Sequence, residues 1–267
     1  LDWQEILNLL RASNAWLLIL AFVVFNASKA LSAIRLKRIV DQLELKLDLR
    51  EHLRLCYVGM LYSNLLPGNI GGDGYKGFTL KRSSHLSTHQ VIASLALDRG
   101  SGLLALILLA AAFFLLSPIS LFLHQELWLI LGILVIIVAY DLAIRKIFPT
   151  VSMSRYQALR DSIGVQGLQA ISAYFALLSF PNSQDVTSYI TLFLISSVAA
   201  TLPLTIGGIG IRELVSGSLA AYLGINVQTA VLMAFALFVI AGLSSLLGLF
   251  GAAEYRIGPQ PLSNSSG

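Results

Sequence analysis

One stretch of this chain is written twice. LPGNIGGDGYK at residues 66–76 returns as LPLTIGGIGIR at residues 202–212, so both copies read LPxxIGGxGx followed by a cation, Lys76 in the first and Arg212 in the second. The offset is constant, 136 residues from Pro67 to Pro203 and again from Lys76 to Arg212. Agreement at this spacing without a gap predicts two related halves, each carrying a Pro- and Gly-rich break at the same point.

What surrounds the breaks decides where those halves reside. Hydrophobic residues make up 56% of the 267 and charged residues only 12%, against about 25% charged in a soluble domain. The mean hydropathy is +0.78, and the chain reads as an all-helical integral membrane protein. Its net charge of +4 invites a nucleic-acid reading. Membrane proteins, however, collect Lys and Arg in cytoplasmic loops for topological reasons, so no nucleic-acid partner is expected. The single Cys56 excludes an internal disulfide and reads as a small apolar residue.

Residues 2–13 place Trp3, Ile6, Leu7 and Leu10 at helical spacing, the pattern of a short interfacial helix. The chain begins at Leu1 rather than Met, and the expectation is a partial chain. Residues 14–34 form the first span, and Lys29 near its end is expected to snorkel to the interface, with a role in a polar cavity as the alternative. Residues 35–54 alternate charge with Leu and predict an amphipathic surface helix. The apolar run 53–66 is too short to cross and ends in Pro67 and glycines, and residues 77–97 read as a second amphipathic segment. Short apolar segments broken by Pro and Gly are the signature of re-entrant hairpins. Asp98 and Arg99 precede a span at 102–123, with a turn at 124–126 and another span at 127–144. A cationic loop follows at 145–160, then a shorter span at 165–180 and a polar turn at 181–185. Residues 186–203 lead into the second motif, 211–223 form its return arm, and 227–250 form the last span.

If both motifs are re-entrant, three spans separate them and the second hairpin enters from the face opposite the first. Counted that way, 16 of the 18 Lys and Arg lie on one face, all but Arg11 and Arg212. That face is then cytoplasmic and includes the C-terminus, as expected for a multi-pass protein of the cell (inner or cytoplasmic) membrane. Residues 186–203 are long enough to cross by themselves, which is the competing topology.

Familiar chemical motifs fail in context. Gly72, Gly74 and Gly77 satisfy GxGxxG, but no strand precedes them and Glu213 stands where the second copy would need its third glycine. Lys76 is followed by Gly77, which breaks a P-loop, and no GxSxG, HExxH or CxxC occurs. His85 and His89 lack an accompanying carboxylate or Cys, so no metal and no cofactor is expected. Two glycine-rich breaks at membrane depth do offer bare backbone. Freed amides there need protein, water or ligand, and a helix starting after the glycines directs its positive end into the gap. With Lys76 and Arg212 added, the gap suits an anion, phosphate best of all. Asp73 and Glu213 are expected to hold the two cations, since a lone cation near mid-bilayer costs about 2.5 to 3.5 kcal/mol. Against this stands the plainer reading that the glycines allow close helix packing and the cations pair structurally with acids.

LPGNIGGDGYK, the later DRGSGLL at residues 98–104, and LPLTIGGIGIRE also resemble the membrane domain of the lysylphosphatidylglycerol synthetase/flippase family, over residues 14–250. The resemblance implies a polytopic domain that moves lipids between leaflets. In synthetase-linked members that lipid is aminoacylated phosphatidylglycerol. Pro67, Gly71, Gly72, Asp73 and Lys76 carry over from the first motif, and Pro203, Gly207, Gly208, Gly210, Arg212 and Glu213 from the second. Asp98 and Arg99 match an acid-Arg pair. The 267 residues correspond to the membrane domain alone, as in a stand-alone member.

Together these readings predict one polytopic domain over residues 1–257, with inverted repeats at about 14–144 and 165–250 and a disordered or extraneous tail at 258–267. The expected function is a flippase that binds an anionic phospholipid or lipid-phosphate headgroup between two re-entrant hairpins, without catalysis. The expected partners are membrane lipids, with a second copy or a synthetase as further candidates. An enzyme acting on a lipid or polyprenyl phosphate, with Asp73, Asp98 or Glu213 as base or nucleophile, and a non-transporting anchor for a synthetase are the alternatives.

Overall fold

A computed structural model describes residues 3–45, 47–65, 71–118, 126–181, 185–201 and 210–253. Among these residues every regular element is helical. In chain order they are α1 (Trp3–Arg11), α2 (Ala15–Asp41), α3 (Leu49–Leu65), α4 (Gly71–Arg82), α5 (Thr88–Leu116), α6 (Glu126–Ile147), α7 (Arg155–Leu178), α8 (Val186–Ala199), α9 (Ile211–Leu223) and α10 (Val227–Ala253), with a 3-10 turn at Pro149–Ser154. Four of them, Ala15–Asp41, Thr88–Leu116, Leu127–Ile147 and Val227–Phe250, are long and apolar enough to cross a membrane. Pro67, Pro203, Gly207, Gly208 and the tail at 258–267 lie outside the described residues.

Several boundaries differ from those the sequence predicts, and each difference has a local cause. Helix α2 runs on to Asp41, so the expected surface helix at 35–54 is divided between the end of α2 and the start of α3. The reason is that Leu36, Ile39 and Val40 are buried, and Arg35 is buried with them beside a carboxylate on another helix. Likewise the segment 77–97 is two helices parted at residues 83–87. There the Ser87 hydroxyl accepts from Gln90 N–H while the Gln90 side chain accepts from Ser87 N–H. This reciprocal cap starts α5 at Thr88, which puts Asp98 and Arg99 inside a helix rather than ahead of one. It also removes His85 from the helix of His89, whose ring packs 6.2 Å from that of Phe148. The expected cationic loop at 145–160 is the end of α6, the 3-10 turn and the start of α7. Asp141 gathers it by accepting from Arg145 at 2.8 Å and from Arg155 at 2.7 Å.

Helices α2 and α7 form the central antiparallel pair. Asn14 N–H donates to Ser179 O at 2.8 Å at one end, and Arg38 Nη1 meets Asp161 Oδ2 at 2.5 Å at the other. Between these ends the contact is built from small residues. Ala21, Ala173 and Ala176 are buried, Ser172 Oγ donates to Ala21 O at 2.8 Å, and a methyl group on Gly164 would stand 2.9 Å from Leu31 Cδ2. Small residues let helices approach where lipid supplies no hydrophobic drive between them. Helix α10 crosses the opposite side of α2 and α3 through a polar triad, Asn26 Nδ2 donating to Ser244 Oγ at 3.0 Å and Tyr57 OH to Asn26 Oδ1 at 2.9 Å.

The two halves of the helix order correspond. Helices α2 to α5 have 27, 17, 12 and 29 residues, and α7 to α10 have 24, 14, 13 and 27. Packing corresponds as well: α3 lies against α4 and α10, and α8 against α9 and α5. Helix α6 stands between the halves with most of its apolar side chains exposed.

Candidate functional site

The bundle forms a partly open cavity of about 680 Å³. Its charged lining is Lys29 and Arg35 from α2, Asp73 and Lys76 from α4, Asp98 and Arg99 from α5, and Arg212 from α9. The sequence-predicted residues Lys76, Arg212, Asp73, Asp98 and Arg99 thus share one space, with Gly72 also on its wall.

The partners are not those expected. Asp73 pairs with Arg99 rather than with Lys76. Glu213 reaches back to the start of its own helix, its Oε2 accepting from Gly210 N–H at 2.9 Å. Gly210 has φ of 86°, a left-handed conformation that glycine adopts without strain, and it is the residue before α9. The Glu213 carboxylate therefore satisfies an orphan amide at a helix N-terminus and is not aimed at Arg212. Asp98 belongs to Arg35, whose Nε lies 2.8 Å from Asp98 Oδ1, with both side chains buried. Arg35 Nη1 also donates to Ser162 Oγ at 2.7 Å, and Ser162 Oγ in turn donates to Ser101 Oγ at 3.0 Å. Gly102 makes room for this guanidinium, since a methyl group there would stand 3.3 Å from Arg35 Nη1.

Lys29 corrects another expectation. Because α2 continues to Asp41, Lys29 lies about 21 Å along a helix of about 40 Å, near its middle, and it lines the cavity. Its ammonium sits 4.5 Å from the centre of the Phe25 ring, one turn back, and within electrostatic reach of Arg212, Lys76 and Arg35. The Lys76 stem crosses the bare backbone of Gly59 on α3, where a methyl would meet Cε at 3.1 Å. Arg212 is the second residue of α9, at the positive end of a helix, where a cation is disfavoured unless an anion is near. Its Nε is buried and has no hydrogen-bond partner among the described residues.

Among the described residues, then, the cavity holds five cations and two carboxylates, and both carboxylates are already taken by arginines. Lys29, Lys76 and Arg212 form no ion pair among the described residues. The glycines divide in role. Gly71 opens α4, and Gly72 is a packing residue, because a methyl on it would stand 2.3 Å from Gly59 O and from Ser63 Oγ. Gly207 and Gly208 fall outside the described residues. No group of three or more His, Cys, Asp or Glu among the described residues is placed to hold a metal ion.

Sequence reasoning missed Arg35 and Ser162, and held the cavity position of Lys29 only as the alternative to snorkelling. Arg35 and Lys29 carried one available signal: charged positions flanked by apolar residues at helical spacing within or directly after a span. Ser162 carried none.

Comparison with curated proteins and with solved structures gives no match. The family model described as lysylphosphatidylglycerol synthase TM region matches residues 1–160. That stretch is more than half of the chain and includes Lys29, Arg35, Lys76, Asp98 and the first glycine-rich motif. The protein therefore belongs to the family of lysylphosphatidylglycerol synthase transmembrane regions, a membrane family tied to lipid handling.

Proposed function

We propose that this protein is a lipid transporter that takes an anionic headgroup into the cavity and passes it between leaflets without changing it. The observation that carries this reading is the set of three cations, Lys29, Lys76 and Arg212, brought from three helices into one cavity with no salt bridge to any of them among the described residues. A cation held at membrane depth is costly, about 2.5 to 3.5 kcal/mol on insertion scales, and a bound phosphate would offset that cost through charge-assisted hydrogen bonds. Acyl chains remain in the bilayer while the headgroup occupies the polar space.

The architecture we attach to this reading is a pair of inverted repeats, α2–α5 and α7–α10, with α3–α4 and α8–α9 as re-entrant hairpins entering from opposite faces. Two facts support it. The helix orders and lengths correspond, and α8 rises only about 21 Å, short of a hydrocarbon core of about 30 Å. In this arrangement α6 has no counterpart, and the second repeat begins at Arg155 rather than at 165. The cation-rich face is cytoplasmic and the membrane is the cell membrane. Cysteines placed at Asn182 and Asn226 in a Cys56→Ser background check the topology: both should react with an impermeant thiol reagent added outside, and reaction of only one refutes the hairpin.

Function is tested by reconstitution. Labelled anionic phospholipid should cross vesicles containing the protein with its mass unchanged. An altered mass makes the protein an enzyme, and no movement makes it an anchor.

A further inference from the structure

Resting on the anionic-headgroup reading, we propose that the ligand is a lipid whose headgroup ends in a phosphate monoester or diphosphate, rather than a phosphodiester lipid or an aminoacylated one. Charge counting carries the argument. After Arg35 and Asp98 neutralise each other, and Arg99 and Asp73 do the same, the cavity keeps a formal excess of three positive charges on Lys29, Lys76 and Arg212. The motif residues outside the described structure cannot reduce it, since residues 66–70 and 202–209 contain no ionisable side chain.

A phosphodiester brings one negative charge against this excess of three. An aminoacylated phosphatidylglycerol brings ammonium groups that cancel or outweigh the charge of its own phosphate. A terminal phosphate carries about −1.5 to −2 at neutral pH and presents three acceptor oxygens, and a diphosphate carries more. Three acceptors match in number the three cations that α2, α4 and α9 bring to the cavity. The buried Nε of Arg212, a donor without a partner among the described residues, suits one of those acceptors.

The test uses the full chain in nanodiscs of phosphatidylcholine, titrated in native mass spectrometry with phosphatidic acid, phosphatidylglycerol of the same acyl chains, geranylgeranyl diphosphate and inorganic pyrophosphate. At pH 8 phosphatidic acid and the prenyl diphosphate should bind at least about tenfold more tightly than phosphatidylglycerol. The preference for phosphatidic acid over phosphatidylglycerol should shrink several-fold at pH 5.5, below the second phosphate pKa of about 6. Lys29→Gln and Lys76→Gln should bring the ratio toward one, while Lys76→Arg preserves it. The pH arm needs no variant, so it stands even if a substitution impairs folding. Equal binding of phosphatidic acid and phosphatidylglycerol at pH 8 overturns this inference and leaves an anionic-headgroup site in place. Binding of none of the lipids overturns both readings. Pyrophosphate binding as tightly as the prenyl diphosphate makes the ligand a soluble anion and overturns its identity as a lipid.

Discussion

Gly59 and Gly72 face each other across α3 and α4 so closely that a methyl group on Gly72 would lie 2.3 Å from the Gly59 carbonyl oxygen. A backbone atom cannot step aside as a side chain can. Gly72→Ala should therefore push the two helices apart and cost about 1 to 3 kcal/mol, the usual range for overpacking. Gly74→Ala, only two residues on, meets nothing within 4 Å. It should be neutral or gain about 0.5 to 1 kcal/mol from helix propensity. Thermal unfolding of both variants in one detergent checks the contrast, and equal behaviour would mean that α3 and α4 do not touch there.

Arg35 and Asp98 make a second structural pair, buried on both sides. Asp98→Asn leaves a guanidinium without its counter-charge and should destabilise by about 3 to 5 kcal/mol. The combined change Arg35→Met with Asp98→Leu should recover a large part of that loss. A double-mutant cycle by denaturant or heat reads the coupling, and additive losses would show that the pair is not a unit.

The unpaired cations should behave in the opposite way. Lys29→Gln removes a charge that sees mostly like charges, so stability in detergent should hold or rise while lipid transport falls about tenfold or more. Lys76→Gln should follow it, and the two transport losses should be less than additive because both serve one ligand. Transport lost only in step with melting temperature would assign these lysines to the fold.

At Glu213 the prediction separates capping from charge. The carboxylate accepts from Gly210 N–H, and Gln can make the same bond. Glu213→Ala should cost about 1 kcal/mol, and Glu213→Gln much less. A large effect of Glu213→Gln on stability would mean that the negative charge itself holds Arg212.

Helicity, membrane residence and the importance of the two glycine-rich motifs could be read from the chain, because apolar run lengths and a repeat at fixed offset are properties of sequence alone. Pairing could not. Asp73 is three residues from Lys76, and Glu213 is adjacent to Arg212, so proximity in sequence suggested the wrong partners. Asp73 found Arg99 and Glu213 found a backbone amide. Arg35 and Lys29 were assigned to the membrane surface because hydropathy falls near the end of the first span. What keeps both inside is the packing of α7, α3 and α5 around α2, and no local pattern encodes that.

The central pair of helices also carries a consequence for how the protein comes to be. Arg38 meets Asp161, and the amide of Asn14 meets Ser179, so α2 is fastened at both ends by groups that leave the ribosome long after it does. Until α7 emerges, the first span has neither its counter-charge nor its antiparallel neighbour. Its depth and tilt in the bilayer are then fixed by its own sequence and by whatever holds nascent helices. The final seat of Lys29 is thus a late event in synthesis, completed only when the second half of the chain arrives.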